Sequence, residues 1–196
     1  MALRLIPRGV AMFSHVVGFD DEPFEPGHRG DVGIVGAVFC ELRLEGVLRG
    51  KVRRDGANAT QTILSMIGES RFAPQLQAVL LQGIAVAGFN VVDVTKLYRE
   101  LSIPVLVVVR KAPDLAAIKE ALCTHVGGGV KKWRLIERLG PPQPAAGVMV
   151  QRIGIDYENC ERLIERLAIN STIPEPLRTA HLIAAGVGSL KSRQRV

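Results

Sequence analysis

The sequence has few cysteines and no pair of them placed to act together. Cys40, Cys123 and Cys160 are scattered through 196 residues without a C-x-x-C spacing. That excludes a zinc ribbon or a disulfide scaffold and fits buried free thiols in a cytoplasmic protein. No uncharged apolar run reaches the roughly 20 residues that a membrane-spanning helix needs, so no membrane partner is expected. Met1–Met12 does not read as a secretory leader, because Arg4, Pro7 and Arg8 interrupt its apolar residues. Internal repeats are absent. Gly127-Gly128-Gly129-Val130-Lys131-Lys132 lacks the G-x-x-x-x-G-K-[ST] spacing of a phosphate-binding loop, and no strand precedes it. Concentrated charge is scarce: the chain carries a net charge of +6 with its arginines spread along it, and at its very end Lys191, Arg193 and Arg195 cluster. A basic balance of this kind favours a polyanionic partner.

What the chain does have is apolar material. Hydrophobic residues make up 47% and charged residues 22%, enough for one substantial core. The expected organisation is a single domain over residues 1–190 with a basic tail at 191–196. His15-Val16-Val17-Gly18-Phe19 reads as a buried strand that Pro23 stops by removing a backbone donor. After a turn at Glu25–Asp31, Val32–Cys40 is apolar enough for a strand covered on both faces. A turn near Leu44-Glu45-Gly46 leads to a third strand around Val47–Val52, and connections this short imply antiparallel neighbours.

The pattern then alternates. Asn58 is a helix N-cap residue ahead of Ile63, Leu64, Met66 and Ile67 at helical spacing. Ala78–Gln82 is a fourth strand, 83–90 a small-residue loop, and Val91–Leu101 a helix. Val105–Val109 is rich in β-branched residues, as a parallel interior strand would be. Pro113 opens a further helix running to about His125, and Lys131–Leu139 forms another with Trp133 inward. Pro141–Pro144 is a linker, Val148–Ile153 a strand, and Asp156–Ile169 an amphipathic helix with Cys160, Leu163, Ile164 and Leu167 on one face. A last helix begins at Ile173-Pro174-Glu175-Pro176. Three antiparallel strands followed by α-β-α-β-α is the element order of the α/β, ribonuclease H-like fold: a mixed sheet with helices on both faces.

At the end of the first strand stand Asp20, Asp21 and Glu22. Loops converge over such a sheet end, and a carboxylate there beside ligands from neighbouring strands is how a hard divalent cation is held. The same residues also suit a plain turn.

Two stretches resemble the endonuclease V family, whose members share this fold. Ile173-Pro174-Glu175-Pro176-Leu177-Arg178-Thr179-Ala180-His181 looks like its I-P-E-P-x-R-x-A-H segment, and Gly18-Phe19-Asp20 is similar to its G-[VI]-D. Residues 83–93, with Gly88-Phe89-Asn90 at their centre, resemble an archaeal branch proposed to cleave deoxyuridine-containing DNA. Residues 55–60 and Arg110-Lys111-Ala112-Pro113-Asp114 fit the same branch. The resemblance implies a metal-dependent endonuclease, using Mg²⁺ or Mn²⁺, that acts in DNA repair near a deaminated base. The first-strand aspartate of the family falls on Asp20 and its histidine on His181. Its acidic second ligand has no clear match, Asp55 being the nearest candidate. Its fourth-strand aspartate falls on Gln82, a neutral amide that removes one charge from the cage. Arg110 and Lys111 would hold phosphate, with Gly88 and Asn90 as further substrate contacts. A non-catalytic nucleic-acid-binding protein with a degraded metal site is the other reading of the same residues.

Overall fold

The computed structural model describes residues 13–192. Met1–Met12 and the basic cluster of the tail fall outside the described side chains. The chain opens as an antiparallel meander, β1 (His15–Asp21), β2 (Asp31–Cys40) and β3 (Arg43–Arg53). It continues through α1 (Ala59–Gly68), β4 (Ala78–Gln82), a small hairpin of β5 (Ala85–Val86) and β6 (Asn90–Val91), and α2 (Val94–Leu101). Then follow β7 (Val105–Val109), α3 (Leu115–His125), α4 (Gly129–Leu139), β8 (Gln143–Ala145), β9 (Val148–Ile153), α5 (Tyr157–Leu167) and α6 (Glu175–Ser192). Seven strands form one mixed sheet in the order β3-β2-β1-β4-β7-β9-β8.

The three central strands β1, β4 and β7 run parallel, so their C-terminal ends share one edge of the sheet. Alternation along them separates two cores. Val17, Phe19, Val79, Leu81, Val105 and Val107 face α1 and α2, meeting Ile63, Ile67, Val94 and Leu97. Val16, Ala78, Leu80, Leu106 and Val108 face the other way, toward α5 and Leu177 of α6. Farther along, Ala180 and Ala184 of α6 lie on Val35, Ala37 and Phe39 of β2. The ribonuclease H-like architecture with helices on both faces is present.

Local differences from the sequence expectations have identifiable causes. The β2–β3 turn is Glu41-Leu42, with Glu41 at φ 53. No glycine or asparagine marked it, whereas Gly46, which suggested a turn, lies inside β3, where a side chain would meet the Phe72 ring at 2.3 Å. Residues 141–144 are not a plain linker, since Gln143–Ala145 pairs antiparallel with β9 as an edge strand. The helix expected from Val91 begins at Val94, capped by Asp93, whose carboxylate accepts from the Lys96 N–H at 2.9 Å. Likewise α3 begins after Asp114, which caps it, so Pro113 precedes the helix. Trp133 is half-buried, its ring under the Lys119 ammonium. Cys160 is buried, Cys40 half-buried and Cys123 exposed, and all three thiols are free. No helix among the described residues is long and apolar enough to cross a membrane.

Candidate active site at the end of the parallel strands

Gly18 is where the site is built. A Cβ on it would lie 2.5 Å from the Pro176 carbonyl carbon and 2.6 Å from the Leu177 nitrogen. Only hydrogen at this position lets the first turn of α6 rest on the backbone of β1. From that contact, two residues along β1 advance about 6.6 Å and four residues along α6 advance about 6 Å. Asp20 and His181 are thereby carried to the same level. The His181 Nδ1–H donates to Asp20 Oδ2 at 2.8 Å, with Asp20 7% exposed and the His181 side chain 58% exposed. A buried carboxylate thus stands behind an accessible imidazole. Burial pushes the Asp20 carboxyl above its ordinary value, partly offset by the hydrogen bonds from His181 and from the Asp21 N–H.

Gln82 ends β4 on the same face. The parallel register that sets Phe19 beside Leu81 brings Gln82 next to Asp20 one residue later. Its Oε1 is buried and accepts no hydrogen bond among the described residues. An orphaned buried acceptor is costly unless something absent from the protein satisfies it, and an amide oxygen next to a carboxylate is a donor set a hard cation accepts. The residues present therefore fit a divalent metal on this face.

Glu22 also belongs here. It follows Asp20 by two residues on the same face, is 4% exposed, and lies over Gly33, where a Cβ would come within 2.2 Å of its carboxyl carbon. Arg49 of β3 donates to its Oε1 through Nη2 at 2.7 Å and Nε at 3.2 Å. Sequence reasoning counted Glu22 as a third carboxylate and gave it no role. The alternation from Asp20 and the glycine opposite were the signals available.

Other expected residues lie elsewhere around the edge. Asp55 does not join Asp20 and His181 in a single ligand shell. Its Oδ1 accepts from the Phe89 N–H at 2.8 Å and its Oδ2 lies 3.3 Å from Arg54. At φ 53, it also donates its own N–H to the Ala87 carbonyl. Asp21, on the opposite face from Asp20, accepts from the Ala87 N–H at 3.0 Å. Together the two aspartates clamp the turn at residues 87–89. Gly88 is exposed at its tip, at φ 82, where a Cβ would meet Asp55 Oδ1 at 2.4 Å. Asn90 is fully buried. Its Oδ1 accepts from Ala59 N–H at the start of α1, and its Nδ2 donates to Arg53 O and Asn58 Oδ1. It holds the start of α1, and with its side chain fully buried it presents no atom to a substrate. Glu175 is taken up by Arg178 and Asn170, which hold its carboxyl below the usual range. Arg110 and Lys111 are exposed just past the end of β7, on the edge that carries Asp20 and Gln82.

The sequence model of the endonuclease dU family matches residues 13–188. The chain belongs to the endonuclease dU family. A UPF0215 protein of Deinococcus radiodurans is 49% identical over 182 residues, 93% of each chain. Among solved structures, a protein of unknown function from Archaeoglobus fulgidus superposes with a TM-score of 0.82 at 31% identity, covering 88% of this chain and 97% of that one. The endonuclease V of Ciona intestinalis, solved with a 24mer DNA containing an inosine followed by a ribo-adenosine, gives a TM-score of 0.61 at 13% identity, covering 93% and 88%. At that identity the likeness is one of fold, so the endonuclease dU chain has the fold of endonuclease V.

Proposed function

We propose that this endonuclease dU chain is a divalent-metal-dependent endonuclease that nicks DNA near a deaminated base, deoxyuridine or a similar lesion, in a cytoplasmic repair role. The observation that carries the reading is the Asp20–His181 contact with the orphaned Gln82 Oε1 on the adjacent strand. Asp20 and Gln82 are the residues that would hold Mg²⁺ or Mn²⁺. Such an ion supplies an activated water and charge relief on the leaving oxygen.

The remaining roles fall to the chain itself. Asp20 fixes the His181 ring through Nδ1, which leaves Nε2 as the nitrogen that delivers a proton to the leaving oxygen. Arg110 and Lys111 grip the flanking phosphates from the exposed rim. Asp55 and Asn90 act indirectly, by holding the turn that presents Gly88 to the strand. Being on a rigid sheet end under a packed helix, the Asp20–His181 pair needs little reorganisation to act.

The test is a nicking assay on end-labelled strands carrying one deoxyuridine, run with Mg²⁺, with Mn²⁺ and with chelator. Cleavage near the lesion that requires the ion supports the reading. Salt-sensitive DNA binding without cleavage under any of these conditions would instead establish a non-catalytic binding protein.

A further inference from the structure

A second group of metal-ligating side chains lies at the other end of β1. From Asp20 back to His15 is five residues, about 17 Å of extended strand. There His15, Cys40 and Glu45 each offer one ligand atom, and the three atoms lie within 4.8 Å of one another. All three residues are partly buried. His15 and Cys40 are direct cross-strand partners. Glu45 arrives by a different device. The β2–β3 register passes from Val38 beside Gly46 to Phe39 beside Leu44, so Glu45 is the extra residue of a β-bulge. A bulge re-aims a side chain. In regular pairing Glu45 would oppose Phe39 and turn to the α6 face, whereas here it joins His15 on the opposite one.

The imidazole is also oriented. Ser14 Oγ donates to Gln77 Oε1 at 3.1 Å, so it meets His15 Nδ1, 2.9 Å away, with a lone pair. An Nδ1–H donated to that lone pair leaves Nε2 free as a ligand, the arrangement in which metal-binding histidines are held by an outer hydrogen bond. Nε2 then points at Glu45 Oε2 across 3.9 Å, too far for a hydrogen bond. A cation seated between the two atoms would engage both. Arg43 meanwhile holds the other carboxylate oxygen, Oε1, at 2.9 Å, leaving Oε2 for a metal. A cavity of about 540 Å³ lined by Arg43, Leu44, Glu45, Arg71, Phe72 and Gln75 opens beside the Glu45 ligand.

We propose that His15, Cys40 and Glu45 form a binding site for zinc, separate from the Asp20 site, that ties the start of β1 to the β2–β3 hairpin. A thiolate, an imidazole and a carboxylate suit this borderline-soft ion and disfavour Mg²⁺. Zinc–ligand bonds of about 2.0–2.3 Å require only a small contraction of the present spacing. Loading releases the Cys40 thiol proton to solvent, and a water completes the fourth position.

The test titrates the full chain with Zn²⁺ by calorimetry and with Co²⁺ by absorption, where a thiolate ligand gives a ligand-to-metal charge-transfer band. With excess Mg²⁺ present to occupy the Asp20 site, one equivalent should bind, the band should appear, and the melting temperature should rise with Zn²⁺. Cys40→Ser should abolish the band, and His15→Gln should weaken Zn²⁺ binding by more than about a hundredfold, beyond the loss typical of an outer partner. Asp20→Asn should leave the thiolate band unchanged. Circular dichroism of each variant without metal keeps misfolding apart from lost ligation. The proposal is overturned by a folded chain that gives no thiolate band, or by unchanged Zn²⁺ affinity in folded Cys40→Ser.

Discussion

Gly18 touches the backbone of Pro176 so closely that a single added methyl group would sit 2.5 Å from its carbonyl carbon. The consequence is that the site residues of β1 and α6 depend on a position that carries no functional group. Gly18→Ala should cost about 2–3 kcal/mol through overpacking against backbone that cannot rotate away. It should also displace His181 from Asp20. Melting and nicking should therefore fall together, and a variant with normal stability and normal cleavage would show that the close approach is unimportant.

Asp21 has its carboxyl pushed up to about 6, chiefly by burial and against the hydrogen bond from Ala87. Because the folded value lies above the unfolded one, the native state binds more protons between about pH 4 and 6, and stability from this group falls as pH rises through that window. Above it the cost is constant, about 2–3 kcal/mol. Asp21→Asn keeps an acceptor for the Ala87 N–H and removes the charge. In chelator-containing buffer it should be no more stable than the parent at pH 4 and clearly more stable at pH 7, read by denaturant titration. An advantage equal at both pH values would refute the assignment.

Much of this site is legible through the resemblance to endonuclease V. Gly-Phe-Asp and Pro-Glu-Pro…His name both partners of the central contact, and the match between strand rise and helix rise explains why those spacings go together. The roles of Asp55 and Asn90 could not be read that way. Each is tied to residues more than 30 positions away, and an aspartate in a hydrogen-bonded latch looks in sequence like one that binds metal. The bulge at Glu45 was hidden for a related reason: the adjacent Gly46 suggested a turn, while the real turn at Glu41-Leu42 has no turn-favouring residue. By contrast, α5 carries a periodic apolar face and β7 a continuous apolar run, and their burial follows both.

Gln82 bears on ion preference. With a neutral amide in place of an aspartate, metal affinity should be weak, and Mn²⁺ should support more cleavage than Mg²⁺ because it tolerates looser geometry. Gln82→Asp should tighten Mg²⁺ binding by about tenfold or more and raise cleavage at limiting Mg²⁺. Lower activity with tighter metal binding would show instead that the amide contacts the substrate.

Arg110 and Lys111 should contribute to the salt dependence of DNA binding. Replacing both with alanine should weaken DNA binding and flatten the slope of log affinity against log salt by about 1.8, two phosphate contacts at roughly 0.9 each. An unchanged slope would remove them from the phosphate-binding surface.

The most direct test of the central claim is the metal-dependent nicking rate of Asp20→Asn on a deoxyuridine-containing strand. The amide preserves the volume of the carboxylate and an oxygen for the His181 N–H, so the variant should fold and bind DNA. Its cleavage rate in Mn²⁺ should drop by about two orders of magnitude or more. Cleavage at the parental rate, in a preparation free of the parent protein, would contradict an active site built on Asp20 and His181.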